Sequence, residues 1–209
     1  MTERFDEIKY KCIFIEKKNQ SGGKIYFTDG GYEKLKTVAE LFRIIDMISA
    51  FLYFDAFMFH SSVLSLGGRG LLFSGVSGIG KSTQADLWKK YENAEIINGD
   101  RAVIRLVGDE WIVYGNPASG SSDICLNSEA RLETVVFLKQ GKTNTVREIN
   151  KIDSFMRLFS QITCGTRKGN DGEKIVSLAE KLAQDIKILE LECTVSREAV
   201  DALKEKIGD

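Results

Sequence analysis

The chain has 209 residues, 43% of them apolar and 28% charged, with a formal net charge of −1. That is enough apolar sequence for one globular unit, and too little excess charge for a general attraction to nucleic acid or to an anionic membrane surface. Four cysteines without a C-x-x-C pair and a single histidine exclude a zinc cluster or a disulfide framework as the organising principle.

The opening residues, Met1 to Asp6, lack the basic and apolar regions of a secretory signal, and a reducing cytoplasmic setting is expected. Alternation over Ile8 to Glu16 predicts a strand. Lys24 to Thr28, after the Gln20-Ser21-Gly22-Gly23 turn, predicts its hairpin partner. From Leu35 to about Phe57 the apolar residues fall at helical spacing. The most apolar stretch, Met47 to Leu66, is interrupted by Asp55 and His60, so it reads as a buried helix followed by a strand and not as a membrane span. Ser61 to Leu66 is the expected strand. The Gly67-Gly68-Arg69-Gly70 turn then leads into the apolar run Leu71-Leu72-Phe73-Ser74. So short a turn joins only antiparallel neighbours, and the sheet is therefore not purely parallel.

Gly75-Val76-Ser77-Gly78-Ile79-Gly80-Lys81-Ser82 completes the pattern G-x-x-x-x-G-K-[ST], and Thr83 follows it. A strand before the loop and a helix from Lys81 to Tyr91 supply the context the pattern requires. The glycines let backbone amides converge on an anion, and the start of the helix adds its positive end. Lys81 is expected to reach the β- and γ-phosphates of a nucleotide, and the Ser82 hydroxyl to ligate Mg2+.

Beyond the loop, Glu95 to Asn98 predicts a short strand ending at Gly99-Asp100. Arg101 to Val107 and Glu110 to Tyr114 flank Gly108-Asp109 as a hairpin, in which Asp109 is the turn residue. Residues 115–122 form a small-residue loop carrying the single proline, a plain loop or one whose backbone amides contact substrate or nucleotide. Thr134 to Leu138 and Asn144 to Arg147 predict a further hairpin. Ser154 to Ile162 and Glu173 to Lys187 predict helices, Ile188 to Cys193 a strand, and Ser196 the cap of a last helix. Gly165 to Gly172 reads as a surface loop or a lid, and Arg131 and Arg167 as candidate phosphate or acceptor contacts.

Taken in order, these features resemble the HPr kinase/phosphorylase and phosphoenolpyruvate carboxykinase superfamily, in its small HPr-kinase-related branch. In that family a histidine on a strand precedes the phosphate loop, as His60 precedes Gly75 by fifteen residues here. A glycine turn and the loop follow. An Asp-Asp-Arg then closes a short strand, met here by Gly99-Asp100-Arg101. The Gly115-Asn116-Pro117 loop and the strand ending at Cys193 add to the likeness, which is specific over roughly residues 55–140. The resemblance implies an α/β fold with a mixed sheet, largely antiparallel-flanked, and an embedded phosphate loop. It implies one domain over 1–209, in which 1–58 form a hairpin and helix, 59–148 a kinase core, and 149–209 the C-terminal helices and strand. It also implies ATP and Mg2+ as cofactors, with Asp100 sharing the metal with Ser82 and with His60 and Arg101 at the catalytic centre.

One departure stands out. Gly99 occupies the place of the carboxylate that serves HPr kinases as base, which leaves the base unassigned, with His60 or Asp100 as substitutes. The expected activity is transfer of the γ-phosphate to a hydroxyl, and by resemblance to a serine of a protein or peptide. A folded carrier, a short ribosomal peptide and a small-molecule hydroxyl are the competing acceptors. A nucleotide-binding accessory module that has lost turnover with Gly99 is the other reading. Neither nucleic acid nor membrane is expected as a partner, and a homo-oligomer is compatible with the composition.

Overall fold

A computed structural model describes residues 12–16, 23–27, 41–42, 47–117, 122–164 and 171–208. β1 (Cys12–Glu16) and β2 (Gly23–Phe27) pair antiparallel as a two-stranded sheet. α1 (Met47–Tyr53) leads into β3 (Ala56–Leu66) and β4 (Arg69–Ser74). Next come α2 (Lys81–Glu92), β5 (Glu95–Asn98), β6 (Arg101–Val107) and β7 (Glu110–Tyr114). β8 (Glu129–Gln140), β9 (Thr145–Glu148), α3 (Lys151–Gln161), α4 (Asp171–Asp185), β10 (Lys187–Cys193) and α5 (Arg197–Ile207) complete the order.

β3 to β10 form one eight-stranded mixed sheet, mostly antiparallel, as expected. Strand pairs run from β3 through β6, β7, β8 and β4 back to β3, so part of the sheet closes on itself. The β3–β4 connection is a two-residue hairpin in which Gly67 and Gly68 both take left-handed backbone, with φ 60° and 87°. Residues with a Cβ rarely adopt that geometry, and it matches the twist of the flanking strands.

Alternating residues of the central strands feed two cores. Leu72, Val135, Phe137 and Ile188 face a core closed by α1, α3 and α4. Leu71, Phe73, Val136, Leu138, Leu189 and Leu191 face the opposite core, closed by α2 and α5 through Trp88, Val200 and Leu203. Period-two alternation with apolar residues on both faces marks strands covered on both sides.

Two expectations are corrected. The expected helix to Phe57 ends at Tyr53, and Ala56 to His60 are strand. Asp55 terminates the helix in left-handed backbone, φ 55°, with the amides of Phe54 and Asp55 bonded to the carbonyls of Phe51 and Leu52. The apolar run 56–59 is buried throughout, and short apolar runs of that kind do not separate helix from strand by periodicity. Of the remainder of the expected helix, residues 35–40 and 43–46 lie outside the described residues, as do 8–11 of the first expected strand.

The expected hairpin of 134–138 with 144–147 does not form. β10 lies between β8 and β9, parallel to the first and antiparallel to the second. β10 buries apolar residues on both faces and takes the interior place, whereas β9 is largely exposed and suits an edge. The connection wraps the end of β10. Gly141 N–H bonds to the Cys193 carbonyl at 3.2 Å, and Asn144 Oδ1 accepts from Thr194 N–H at 2.9 Å.

Ser196 does take the N-cap position of α5 in extended backbone, but its hydroxyl makes no capping bond. It lies instead 3.0 Å from Thr194 Oγ1 and 3.4 Å from Asn144 Nδ2.

Candidate functional site

β3 changes partners along its length, and that change builds the site. Ala56 to His60 pair with β6, whereas β5 takes over at Val63. The β5–β6 turn, holding Gly99 and Asp100, therefore falls beside His60, and Ser61 N–H bonds to the Asp100 carbonyl at 3.0 Å. On the other side of β3, Ser61 pairs with Ser74, the last residue of β4. The glycine loop thus starts at the same point, and Ser74 Oγ donates to the His60 carbonyl at 2.8 Å.

Gly75, Gly78 and Gly80 carry positive φ of 137°, 78° and 115°. Gly80 is the N-cap of α2, makes no side-chain cap, and precedes a first turn without an acidic residue. The helix bond from Gln84 N–H to the Gly80 carbonyl leaves the N–H groups of Lys81, Ser82 and Thr83 without helical partners. Those donors and the positive end of the helix dipole point to anion binding. Lys81 is 8% exposed, and its ammonium donates to the Gly75 and Val76 carbonyls at 3.2 and 3.3 Å. Burial lowers its pKa from the ordinary value, and the Asp100 charge partly opposes this.

A cavity of about 290 Å3 gathers Ser77, Gly78, Gly80, Lys81, Ser82 and Thr83 on one side. His60, Gly99, Asp100 and Ser122 face them. Asp100 is the only carboxylate in this lining among the described residues. Its Oδ1 lies 3.4 Å from His60 Nε2, and its Oδ2 lies 3.3 Å from Arg101 Nε. Burial and then the Lys81 charge lower the His60 pKa below the ordinary 6.5, outweighing Asp100, so the imidazole is neutral at neutral pH. The ring also donates a hydrogen bond to the Gln161 side chain, which favours the charged form but is outweighed.

Among the described residues no group of three or more His, Cys, Asp or Glu side chains is arranged for a metal ion. A divalent ion such as Mg2+ needs fewer protein ligands, because substrate phosphates and water complete its octahedron. One hydroxyl, Ser82, and one carboxylate, Asp100, in the same cavity fit that demand.

No family model matches the chain. No curated protein matches it either. Among solved structures it is similar to the HPr(Ser) kinase/phosphatase from Coxiella burnetii, with a TM-score of 0.39 and 10% identity over 71% of this chain and 95% of that one. A likeness of that size assigns no activity, so the chemistry has to be built from the residues in the cavity.

Not every expected residue lines it. Gly75 and Val76 contribute carbonyls to Lys81, the Val76 side chain is 66% exposed, and Ile79 packs against the α2–α5 core. Arg101 stands beside Asp100 and donates to Thr163 Oγ1 at 3.3 Å. Arg131 pairs with Glu110 at 3.3 Å and lies opposite Arg69, at the far end of β4 from the loop. Arg167 and residues 118–121 and 165–170 lie outside the described residues, while Asp171 and Gly172 begin α4.

Sequence reading missed Asn98, fully buried, whose Oδ1 accepts from the amides of Asp100 and Arg101 at 3.0 and 2.8 Å. Its Nδ2 donates to the Asn116 carbonyl at 2.8 Å, and Asn116 Nδ2 in turn donates to the Arg101 carbonyl. An Asn two residues before a turn Asp is a local signal for this arrangement. Ser122, the last residue of the expected 115–122 contact loop, has no pattern of its own that singles it out. It reaches the cavity because the following segment tracks β5, with the Leu126 amide on the Ile97 carbonyl and the Gly99 amide on the Ile124 carbonyl. Among the described residues no helix is long and apolar enough to cross a membrane.

Proposed function

We propose that the protein is an ATP- and Mg2+-dependent phosphotransferase that moves the γ-phosphate to a hydroxyl, with a serine of a protein or peptide as acceptor. One observation carries this reading. A single cavity gathers the uncapped amides of a glycine loop, the Lys81 ammonium, the Ser82 hydroxyl and the Asp100 carboxylate. The amides and Lys81 bind and orient the phosphates, and Ser82 and Asp100 would hold Mg2+. When bound, the ion neutralises charge across the β- and γ-phosphates. Phosphoryl transfer has a loose transition state, so positioning and charge stabilisation supply most of the acceleration.

Gly99 offers no carboxylate beside Asp100, and removal of the acceptor proton falls to His60. Its lowered pKa favours the neutral ring, in which one nitrogen carries no proton. A positioned base of this kind adds about 10²–10⁴-fold. The serine acceptor rests on the family resemblance in the sequence and the cytoplasmic setting on the scattered cysteines, and neither nucleic acid nor membrane enters the reaction. Gly99 favours one second reading, a nucleotide-binding accessory module without turnover.

Purified protein with γ-labelled ATP, Mg2+ and candidate peptides separates the two. On the kinase reading, Lys81→Ala weakens ATP binding about 10- to 100-fold, the worth of a hydrogen bond to a charged group, and Asp100→Asn abolishes label transfer. ATP bound with no transfer or hydrolysis, and turnover appearing in Gly99→Asp, would establish the accessory module. No affinity for ATP–Mg2+ at millimolar concentration would overturn both.

A further inference from the structure

A second cavity, of about 280 Å3, adjoins the first and shares Ser82, Gly99 and Ser122 with it. A phosphate held by Lys81 and Ser82 therefore borders this space, across the side of the site where Gly99 presents no side chain. Ala85, Ile96 and Ile124 supply its apolar walls, with Asp86 on α2 as the one charged residue of the lining among the described residues. Asp86 follows Ser82 by four residues, so the two side chains lie on one side of the helix, a turn apart. Asp86 is exposed and, among the described residues, has no ion-pair partner. The Ser62 hydroxyl in the same lining is already committed, donating to the Gly99 carbonyl at 2.9 Å.

We propose that this cavity is the acceptor subsite and that Asp86 selects a hydroxyl carrying a positive charge close by. The carboxylate attracts such an acceptor, while the carboxylate and the triphosphate together repel an anionic one. The apolar walls accept the methylenes between the hydroxyl and the cation. About 280 Å3 admits one side chain and its neighbour, which suits an extended segment and not the surface of a folded carrier. The acceptor chemistry is thus an amino alcohol, either free or as a serine next to Lys or Arg in a flexible peptide. This rests on the phosphotransfer reading above. In the step, the acceptor oxygen forms a bond to the γ-phosphorus and the bond from that phosphorus to the β–γ bridging oxygen breaks. The bridging oxygen leaves with its electron pair on ADP, and the hydroxyl, which crosses the shared lining into the first cavity, gives its proton to His60 there. Asp86 takes no part in bond making and acts as a specificity residue.

The test uses the intact protein with γ-labelled ATP and Mg2+, a serine peptide library scanned at the positions flanking serine, and ethanolamine as the small-molecule arm. Nucleotide affinity is read in the same samples. Wild-type protein is expected to prefer Lys or Arg over Asp or Glu beside the serine by about two- to fivefold, the worth of one exposed ion pair. Asp86→Asn removes the preference and Asp86→Lys inverts it. Label on peptides assigns the peptide source, and label on ethanolamine alone assigns the free amino alcohol. ATP–Mg2+ bound with no labelled acceptor, or with a preference unchanged in Asp86→Lys, overturns the inference and leaves nucleotide binding standing. A change in nucleotide affinity without a change in acceptor preference assigns the cavity to the nucleoside and overturns it too. Failure to bind ATP–Mg2+ removes the phosphotransfer reading and this one with it.

Discussion

Asp100 owes its place to Asn98. The turn between β5 and β6 would otherwise carry two amides with no acceptor, and the Asn116 carbonyl would lose its donor. Asn98→Ala is therefore expected to cost about 2 kcal/mol and to lower Tm by about 4–8 °C in calorimetry, because buried polar groups left unpaired carry their desolvation cost. An unchanged Tm would mean that the turn is held by something other than this side chain. His60 gives a second handle, because the chain has one histidine and its imidazole protons titrate alone in an NMR spectrum. With no nucleotide or divalent ion present, its pKa is expected below 6.5, since burial and Lys81 disfavour the charged ring. The sign follows by linkage. The unfolded chain takes up the proton first, so stability falls as pH drops from 6.5 toward the lowered value and is insensitive to this group above about pH 7. His60→Gln removes that slope, and a measured pKa at or above 6.5 would contradict the site as described. At this scale the loop is legible in the chain because eight adjacent residues define it. His60 is visible only through resemblance, Asn98 carries a local signal in its spacing to the turn Asp100, and Ser122 reaches the site through the track of its segment along β5, which no local pattern encodes.

Elements show where local reading stops. Hairpins closed by two residues, 67–68 and 108–109, were readable because the turn chemistry and the pairing lie in the same few residues. The placing of β10 between β8 and β9 was not, because it is decided by which strand has two apolar faces and not by which is nearest in sequence. Gly115 sits at a similar non-local junction. Its amide bonds to the Ser128 carbonyl at 3.0 Å, and a Cβ there would stand 2.0 Å from the Leu126 carbonyl oxygen. The obstacle is backbone, so a rotamer change cannot relieve it. Gly115→Ala should push the 122–126 segment off β5 and destabilise the protein by about 1–3 kcal/mol, the range for overpacking at a tight site. Because Ser122 rides on that segment, nucleotide affinity should fall in the same variant. Urea melts and a nucleotide titration check the pair of effects, and normal stability in Gly115→Ala would show that the segment yields without cost.

Across the whole molecule, the two cores share their strands, which couples the packing of one to that of the other. Leu72 and Leu71 are adjacent on β4 yet feed opposite sides, as do Phe137 and Val136 on β8. The closed circuit of β3, β6, β7, β8 and β4 adds to this, since each of these strands is held by a partner on both sides. The chain supplies its own reporters. Its two tryptophans fall one in each core, Trp111 against Phe57 and bonded to Asp185 at 2.9 Å, and Trp88 beside Phe73. In single-tryptophan proteins made with Trp88→Phe or Trp111→Phe, each fluorescence signal follows one core in urea. The distant truncation Leu203→Ala on α5 removes a fully buried side chain and is expected to cost about 2–5 kcal/mol. If the shared strands make the cores one cooperative unit, that truncation lowers the midpoint seen by Trp111 by as much as the midpoint seen by Trp88, even though Leu203 touches only the core of Trp88. A Trp111 midpoint that stays in place while the Trp88 midpoint falls would mean that the α2–α5 side opens by itself, and the glycine loop and Lys81 would open with it.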